Sequence, residues 1–259
     1  MTSQTHGTPV QSSVRDPESA PGGRNDPGVR AAAAHALTLI QPGARIGLGS
    51  GRAASAFVAL LGARVRDGFP VSAVPTSQTT ADEARDAGIP LIELGDGGFL
   101  DLTVDGADEV APNLDLVKGL GGALVRERIV AAASARLIIV VGEEKLVRGL
   151  GERGRIPVEV IPLGAWLAER ELQALQLTPA RRMDAGGSRP FITENGNLTF
   201  DCAVRDPLPD AGAARDLERA IRAIVGVVDT GLVLAKADVV VVGRSDGRVD
   251  TLTRPASRL

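Results

Sequence analysis

Four side chains close together in the chain, Asp105, Asp108, Lys118 and Glu127, could do acid–base chemistry together. Asp105 and Asp108 border the pair Gly106-Ala107, where an apolar run breaks into charge. Lys118 opens the turn Gly119-Leu120-Gly121-Gly122, and Glu127 lies about a turn and a half into the helix that follows. A carboxylate can take a proton from carbon and return it to a neighbouring carbon, which contributes about 10²–10⁴-fold when the base is well placed. An ammonium and loop N–H groups can hold the oxyanion that forms, each donor contributing about 2.7–4 kcal/mol. The set therefore suits proton transfer on a small anionic substrate. Residue types alone leave bland readings open. Arg126-Glu127-Arg128 also reads as a solvated helix face, and the two aspartates as turn caps.

The elements around these residues must bring them to one place. Residues 28–40 are Ala-rich and read as a helix, stopped by Gln41-Pro42-Gly43. A short strand at 45–48 runs into Gly49-Ser50-Gly51-Arg52, and a helix follows over 53–65. Strand, glycine turn and helix expose N–H groups at a positive helix end, for which phosphate is the natural ligand. The same glycines would equally allow close strand–helix packing. A strand at 71–75 leads into a hydroxyl-rich loop, Thr76 to Thr80, whose commoner use is to cap the next helix. Strands are predicted at 89–92 and 100–104, a helix from Gly121-Gly122 to about 134, and a nearly unbroken apolar strand at 136–141, as a sheet covered on both faces requires. Alternating strands and helices mean βαβ units and a parallel sheet. Such sheets bind ligands where apolar strands end in loops, and 101–105 is such an end.

From about residue 157 the order changes. A strand at 157–161, a helix at 164–175, a hairpin over 191–203 turning at Asn195-Gly196, and a helix at 217–224 suit a small α+β unit of ferredoxin-like order. Strands at 227–234, 237–242 and 248–252 close the chain. The division expected is a Gly-, Pro- and Ser-rich disordered tail at 1–26, a large α/β unit from 27–155 with 226–259, and the small unit at 156–225.

Composition removes several function classes. Aromatic residues make up 2% of the chain, with no Tyr and one Trp, so a base-stacking platform for nucleic acid is not expected. A net charge of −3 provides no basic field for nucleic acid or an anionic membrane. The single cysteine, Cys202, excludes an intrachain disulfide and multi-Cys zinc patterns, and the two histidines, His6 and His35, are far apart. No metal and no cofactor are expected. No apolar run reaches the roughly 18 residues of a membrane span and no signal-like stretch opens the chain, so the cytoplasm is the default location.

Several longer motifs carry a resemblance. Asp105-Gly-Ala-Asp-Glu-Val110, Lys118-Gly-x-Gly-Gly-Ala-Leu-x-Arg-Glu127-x-Ile-Val-Ala131 and Pro157-Val-Glu-Val-Ile-Pro162 closely resemble the A-type ribose-5-phosphate isomerases. So do Gly47-Leu-Gly-Ser-Gly51, Thr76-Ser-x-x-Thr80, Gly88-Ile-Pro-Leu91, Thr193-Glu-Asn-Gly-Asn197 and Gly226-Val-Val-Asp-Thr-Gly-Leu232, in the same order over about 28–252. The resemblance implies a Rossmann-like, mostly parallel sheet domain with a smaller ferredoxin-like α+β lid. It implies metal-free interconversion of ribose 5-phosphate and ribulose 5-phosphate, and a homodimer or homotetramer. Carried onto matching positions, it makes Glu127 the base that shuttles the proton. Asp105, with Asp108 beside it, assists ring opening, and Gly106 and Ala107 contact the substrate. Lys118 and the N–H groups of Gly119, Leu120 and Gly121 become the clamp on the enediolate, and Gly49, Ser50, Gly51, Arg52, Ala53 and Lys145 the phosphate end.

The chain also departs from that pattern. The family's Gly-Thr-Gly-Ser-Thr loop is Gly49-Ser50-Gly51-Arg52-Ala53 here, so two hydroxyls are lost and one guanidinium is gained. Arg52 either grips the phosphate by bidentate bonds or points into solvent. Leu120 replaces a glycine in the second loop, which narrows the backbone choices and brings a side chain towards the sugar. Gly142 stands where the family has an acid, and Val29-Arg30 offers no clear match to a basic residue early in the first helix. Two other functions fit the same residues: an isomerase of a different sugar phosphate, and a phosphosugar-binding protein without catalysis. A dinucleotide enzyme is a weaker reading, because the Gly49 loop lacks the Gly-x-Gly-x-x-Gly spacing.

Overall fold

The computed structural model describes residues 26–254, so all of the tail expected at 1–26 except Asp26 lies outside the described residues. Helix α1 (Pro27–Leu37) is capped by Asp26, whose carboxylate accepts from the Val29 N–H at 3.0 Å, and it has proline in its first turn. Strand β1 (Arg45–Leu48), helix α2 (Arg52–Arg66), strand β2 (Ser72–Pro75) and helix α3 (Gln78–Asp86) follow. Next come β3 (Leu102–Asp105), the short β4 (Glu109–Val110) and β5 (Leu116–Val117), α4 (Leu124–Ala132) and β6 (Leu137–Gly142). Then β7 (Ile156–Val160), α5 (Ala165–Ala174), β8 (Thr178–Arg181), β9 (Leu198–Ala203), α6 (Ala211–Arg222), β10 (Val227–Thr230), β11 (Leu232–Val233), β12 (Val239–Gly243) and β13 (Val249–Thr253) complete the chain.

The main sheet has the order β13-β12-β6-β3-β1-β2 and is parallel except for its β13 edge. β6 and β12 are buried along their whole length, as their continuous apolar sequence requires. α1 crosses this sheet on small residues. Ala32, Ala33 and Ala36 are fully buried, and a Cβ on Gly243 would fall 1.8 Å from the Gly28 carbonyl oxygen. From β1 the chain moves one way to β2 and the other way to β3, so the sheet has its switch point between β1 and β3. The loops after those two strands diverge there and leave a crevice.

The small unit is β7-α5-β8-β9-α6-β10, an antiparallel sheet of order β10-β7-β9-β8, which is the ferredoxin-like arrangement. A third sheet, β11-β5-β4, lies between the two units. The helix expected at 217–224 forms as α6, starting six residues earlier, at Ala211, and three strand expectations differ from what forms. The strand expected at 89–92 is a single bridge, Ala73 to Leu91, because Pro90 has no N–H to extend the ladder. The hairpin expected over 191–203 reduces to the bridge Ile192 to Leu198, and β9 pairs instead with β8 and β7. The strand expected at 227–234 divides at Gly231, whose N–H donates to the Pro157 carbonyl at 2.7 Å and whose carbonyl accepts from the Lys118 N–H at 2.9 Å. β10 therefore pairs within the small unit, and β11 pairs beside Lys118.

Candidate active site

The crevice between β1 and β3 opens into a cavity of about 320 Å³ at the carboxyl ends of the parallel strands. Its walls include Ser50, Gly51, Arg52 and Ala53 from the turn into α2, and Gly106, Ala107 and Asp108 from the turn after β3. Lys118, Gly119, Leu120, Gly121, Glu127 and Lys145 complete the set expected from sequence. Gly49 and Asp105 do not line it. Gly49 continues β1, donating its N–H to the Val104 carbonyl, and Asp105 is fully buried beneath the floor.

Lys118 organises the charges. β5 pairs with β4 and β11 and so delivers this lysine inward. Its ammonium lies 2.8 Å from Asp105 Oδ2 and 3.2 Å from Glu127 Oε2, and donates to the Gly106 carbonyl at 2.6 Å. Asp105 Oδ1 accepts from the N–H groups of Ser50 at 3.1 Å and Gly106 at 2.7 Å, which ties both loops to the end of β3. Burial and the Asp105 charge raise the Glu127 pKa to about 8 against the pull of Lys118. Burial opposes the ammonium of Lys118, but the Asp105 and Glu127 carboxylates outweigh it and hold its pKa above the ordinary value. Burial also raises the pKa of Asp105, against Lys118 and the loop N–H groups. One lysine thus faces two buried carboxylates, and the second of them is poised to accept a proton near neutral pH.

The other end of the cavity suits an anion. Gly51, at φ +89°, enters α2 with no side chain capping the helix, and Gly51, Arg52 and Ala53 of this helix start line the cavity. Lys145 stands nearby, its pKa lowered by burial with Asp108 opposing. Arg52 is exposed at the rim. The Glu144 side chain lines the same wall and fills the space beside Gly142, where a Cβ would fall 2.2 Å from Glu144 Oε2. A carboxylate therefore occupies this wall even though residue 142 is glycine.

The hydroxyl loop caps the next helix, as read from sequence, and also ties that helix to the turn after β1. Ser77 caps α3 by accepting from the Thr80 N–H at 3.1 Å, while Thr76 hydrogen-bonds Ser50 at 2.7 Å and Thr80 donates to the Gly49 carbonyl at 3.0 Å. Two features had no sequence signal of their own. Arg182, from the small unit, donates to the carbonyls of Gly119 and Leu120. Arg126, beside Glu127 on α4, grips Glu194 and Asn195 from the turn 193–197. Both contacts span more than 60 residues, so no local pattern announces them. Among the described residues no three His, Cys, Asp or Glu side chains converge as a metal cluster would require. No helix among them is long and apolar enough to cross a membrane.

Comparison with known proteins shows the family. The family model for ribose 5-phosphate isomerase A (phosphoriboisomerase A) matches residues 72–247. The ribose-5-phosphate isomerase A of Roseiflexus sp. (strain RS-1) is 45% identical over 232 residues, covering 88% of this chain and 96% of that protein. That of Deinococcus radiodurans is 43% identical over 225 residues, covering 86% of this chain and 96% of that protein. Among solved structures, a D-ribose-5-phosphate isomerase in complex with phospho-erythronic acid superposes with a TM-score of 0.83 at 36% identity, covering 87% of this chain and 97% of that one. The ribose 5-phosphate isomerase A of Methanocaldococcus jannaschii does so with a TM-score of 0.81 at 37% identity, covering 89% and 100%. With that family match and such relatives along nearly its whole folded length, this chain belongs to the ribose 5-phosphate isomerase A family.

Proposed function

We propose that this chain interconverts ribose 5-phosphate and ribulose 5-phosphate by moving one proton between adjacent carbons through an enediolate. The observation that carries this reading is Lys118, held between Asp105 and Glu127 in a cavity whose far end offers the uncapped start of α2. Glu127 takes the proton from one carbon and returns it to the next. Its raised pKa matches this task, because a base near neutrality can both accept and release the proton. Lys118 and the loop N–H groups of Gly119 and Gly121 neutralise the enediolate oxygens, while the Leu120 N–H donates to Asp108 Oδ2 at 2.9 Å and orients that carboxylate. Asp108, on the cavity wall, assists ring opening, and the fully buried Asp105 fixes Lys118 and the two loops. The N–H groups of Gly51, Arg52 and Ala53, with Lys145 and the Arg52 guanidinium, hold the phosphate and so set which carbons meet Glu127.

The deciding experiment is turnover of ribose 5-phosphate in the presence of a chelator, comparing the parent with Glu127→Gln. The parent converts the substrate and exchanges its C2 proton with solvent deuterium. The variant still binds and does neither. Full exchange in the variant overturns the base assignment. A small panel of other sugar phosphates tests the substrate, since Leu120 and Arg52 are both among the residues that line the cavity.

A homo-oligomer belongs to the same proposal. Leu163, Trp166 and Val225 are largely exposed, on neighbouring turns brought together where Gly164 packs on Gly226. Exposed apolar side chains on adjacent turns support the reading of this face as the surface that a second copy covers. We also place the activity in the cytoplasm, where a phosphorylated, membrane-impermeant sugar is retained.

A further inference from the structure

We propose that Arg182, on the small unit, is a positioning residue for the clamp loop of the large unit. The inference rests on the reading of the Gly119–Gly121 loop as the clamp on the enediolate. Arg182 is mostly buried, and Asp201 on β9 locks it by two bonds, Nε to Oδ2 at 3.0 Å and Nη2 to Oδ1 at 2.5 Å. The remaining nitrogen, Nη1, donates to the Gly119 carbonyl at 3.0 Å and the Leu120 carbonyl at 3.1 Å. The planar guanidinium therefore aims at two consecutive loop carbonyls with its own orientation fixed from behind.

The consequence follows from the peptide bond. In a trans peptide the C=O and N–H of one unit point in opposite directions, and no cis bond occurs among the described residues. Holding the Gly119 carbonyl towards Arg182 turns the Leu120 N–H the other way, where it donates to Asp108 Oδ2 at 2.9 Å. Holding the Leu120 carbonyl in the same way turns the Gly121 N–H away from Arg182, and Gly121 lines the cavity. Arg182, together with the Gly122 N–H that donates to the same Gly119 carbonyl at 3.0 Å, thus sets the direction of the Leu120 and Gly121 N–H groups without touching the substrate itself. Phe191 reinforces the grip. Its N–H donates to the Arg182 carbonyl at 2.9 Å, the guanidinium lies 5.8 Å from its ring centroid, and the ring abuts Gly122, where a Cβ would fall 2.4 Å away. Only glycine at 122, at φ +89°, permits that contact. The small unit is on this account part of the catalytic apparatus, because one of its arginines aims the donors.

The test uses Arg182→Gln and Arg182→Lys in the full chain, with kcat and KM for ribose 5-phosphate and with binding of two probes. Phospho-erythronic acid carries a carboxylate where the enediolate oxygens form, and inorganic phosphate reports the phosphate end alone. For Arg182→Gln, kcat falls about 10–100-fold, the size expected when reacting groups shift by about an ångström, while KM stays within about threefold. Phospho-erythronic acid binding weakens in proportion to kcat, and inorganic phosphate binding does not change. Arg182→Lys recovers only part of the loss, because one ammonium cannot hold Asp201 and both carbonyls. Unchanged kcat and unchanged phospho-erythronic acid binding overturn the inference, as does an equal loss of both probes. Should Arg182→Gln fail to fold, the same readouts on Arg182→Lys decide. A parent that binds phospho-erythronic acid but does not turn over ribose 5-phosphate contradicts the proposed function and not the role of Arg182, which the probe binding still reads.

Discussion

At the scale of residues, charge balance explains why one carboxylate of the site can be a base. Lys118 carries a single positive charge between Asp105 and Glu127, and burial excludes the water that would otherwise screen them. With Asp105 bound to three donors, Glu127 is left to hold a proton up to about pH 8. We expect kcat/KM to rise by up to about tenfold per unit between about pH 6.5 and 8 and then level, since only ionised Glu127 is a base. A flat profile through that range would contradict the assignment. Stability responds in the opposite sense. Glu127 titrates near 4.5 when unfolded and near 8 when folded, so between these values the folded state holds the extra proton. Its contribution is complete below 4.5 and is lost as the pH rises through 8, by up to about 1.4 kcal/mol per unit. Glu127→Gln cannot ionise, so in urea unfolding its stability relative to the parent should be greater at pH 8 than at pH 5. A constant difference between the two proteins would count against a raised pKa. Lys118→Met removes the shared cation and leaves two buried carboxylates unpaired. It should abolish turnover and destabilise the fold by about 3–5 kcal/mol, measured by urea denaturation.

At the scale of elements, the site depends on how closely strand ends approach. Gly49 and Asp105 close β1 and β3 side by side, and a Cβ on Gly49 would fall 2.0 Å from Asp105 Oδ1. Gly49→Ala must therefore displace Asp105 and with it Lys118. The expected result is a loss in kcat of about 10–100-fold, measured by steady-state turnover, with the fold retained by circular dichroism. This glycine is legible in sequence as part of a turn, but the atom it makes room for is not, because Asp105 lies 56 residues away. Similarly, Thr76 to Thr80 reads as a cap, and its bonds to Ser50 and Gly49 exist only because β1 and β2 are neighbours. The edge strand lost at 89–92 shows the limit of an apolar run as a signal, since Pro90 removes one ladder donor.

At the scale of the whole molecule, the two units meet over α4 and the loop that precedes it. Arg126 holds the turn 193–197, Arg182 holds Gly119 and Leu120, and Gly231 passes the chain from one sheet to the next beside Lys118. The exposed apolar surface around Trp166 lies on the small unit, with Trp166 67% exposed. Trp166→Glu should shift the molecular mass in light scattering towards the monomer, and an unchanged mass would place the interface elsewhere. The sequence by itself determined the class of fold, because strand and helix periods are local and the switch from βαβ units to the small α+β unit is a change in their order. It also picked out the candidate carboxylates and lysine, since these cluster in one stretch from Asp105 to Glu127, while their proposed roles came from the family resemblance. Only the tertiary structure decided which carboxylate lines the cavity and which lies beneath it, where Glu144 fills the space beside Gly142, and that Arg182 reaches the clamp loop. Each of those depends on the packing of segments distant in the chain, where burial, charge pairing and hydrogen-bond direction are settled by neighbours that no local pattern can supply.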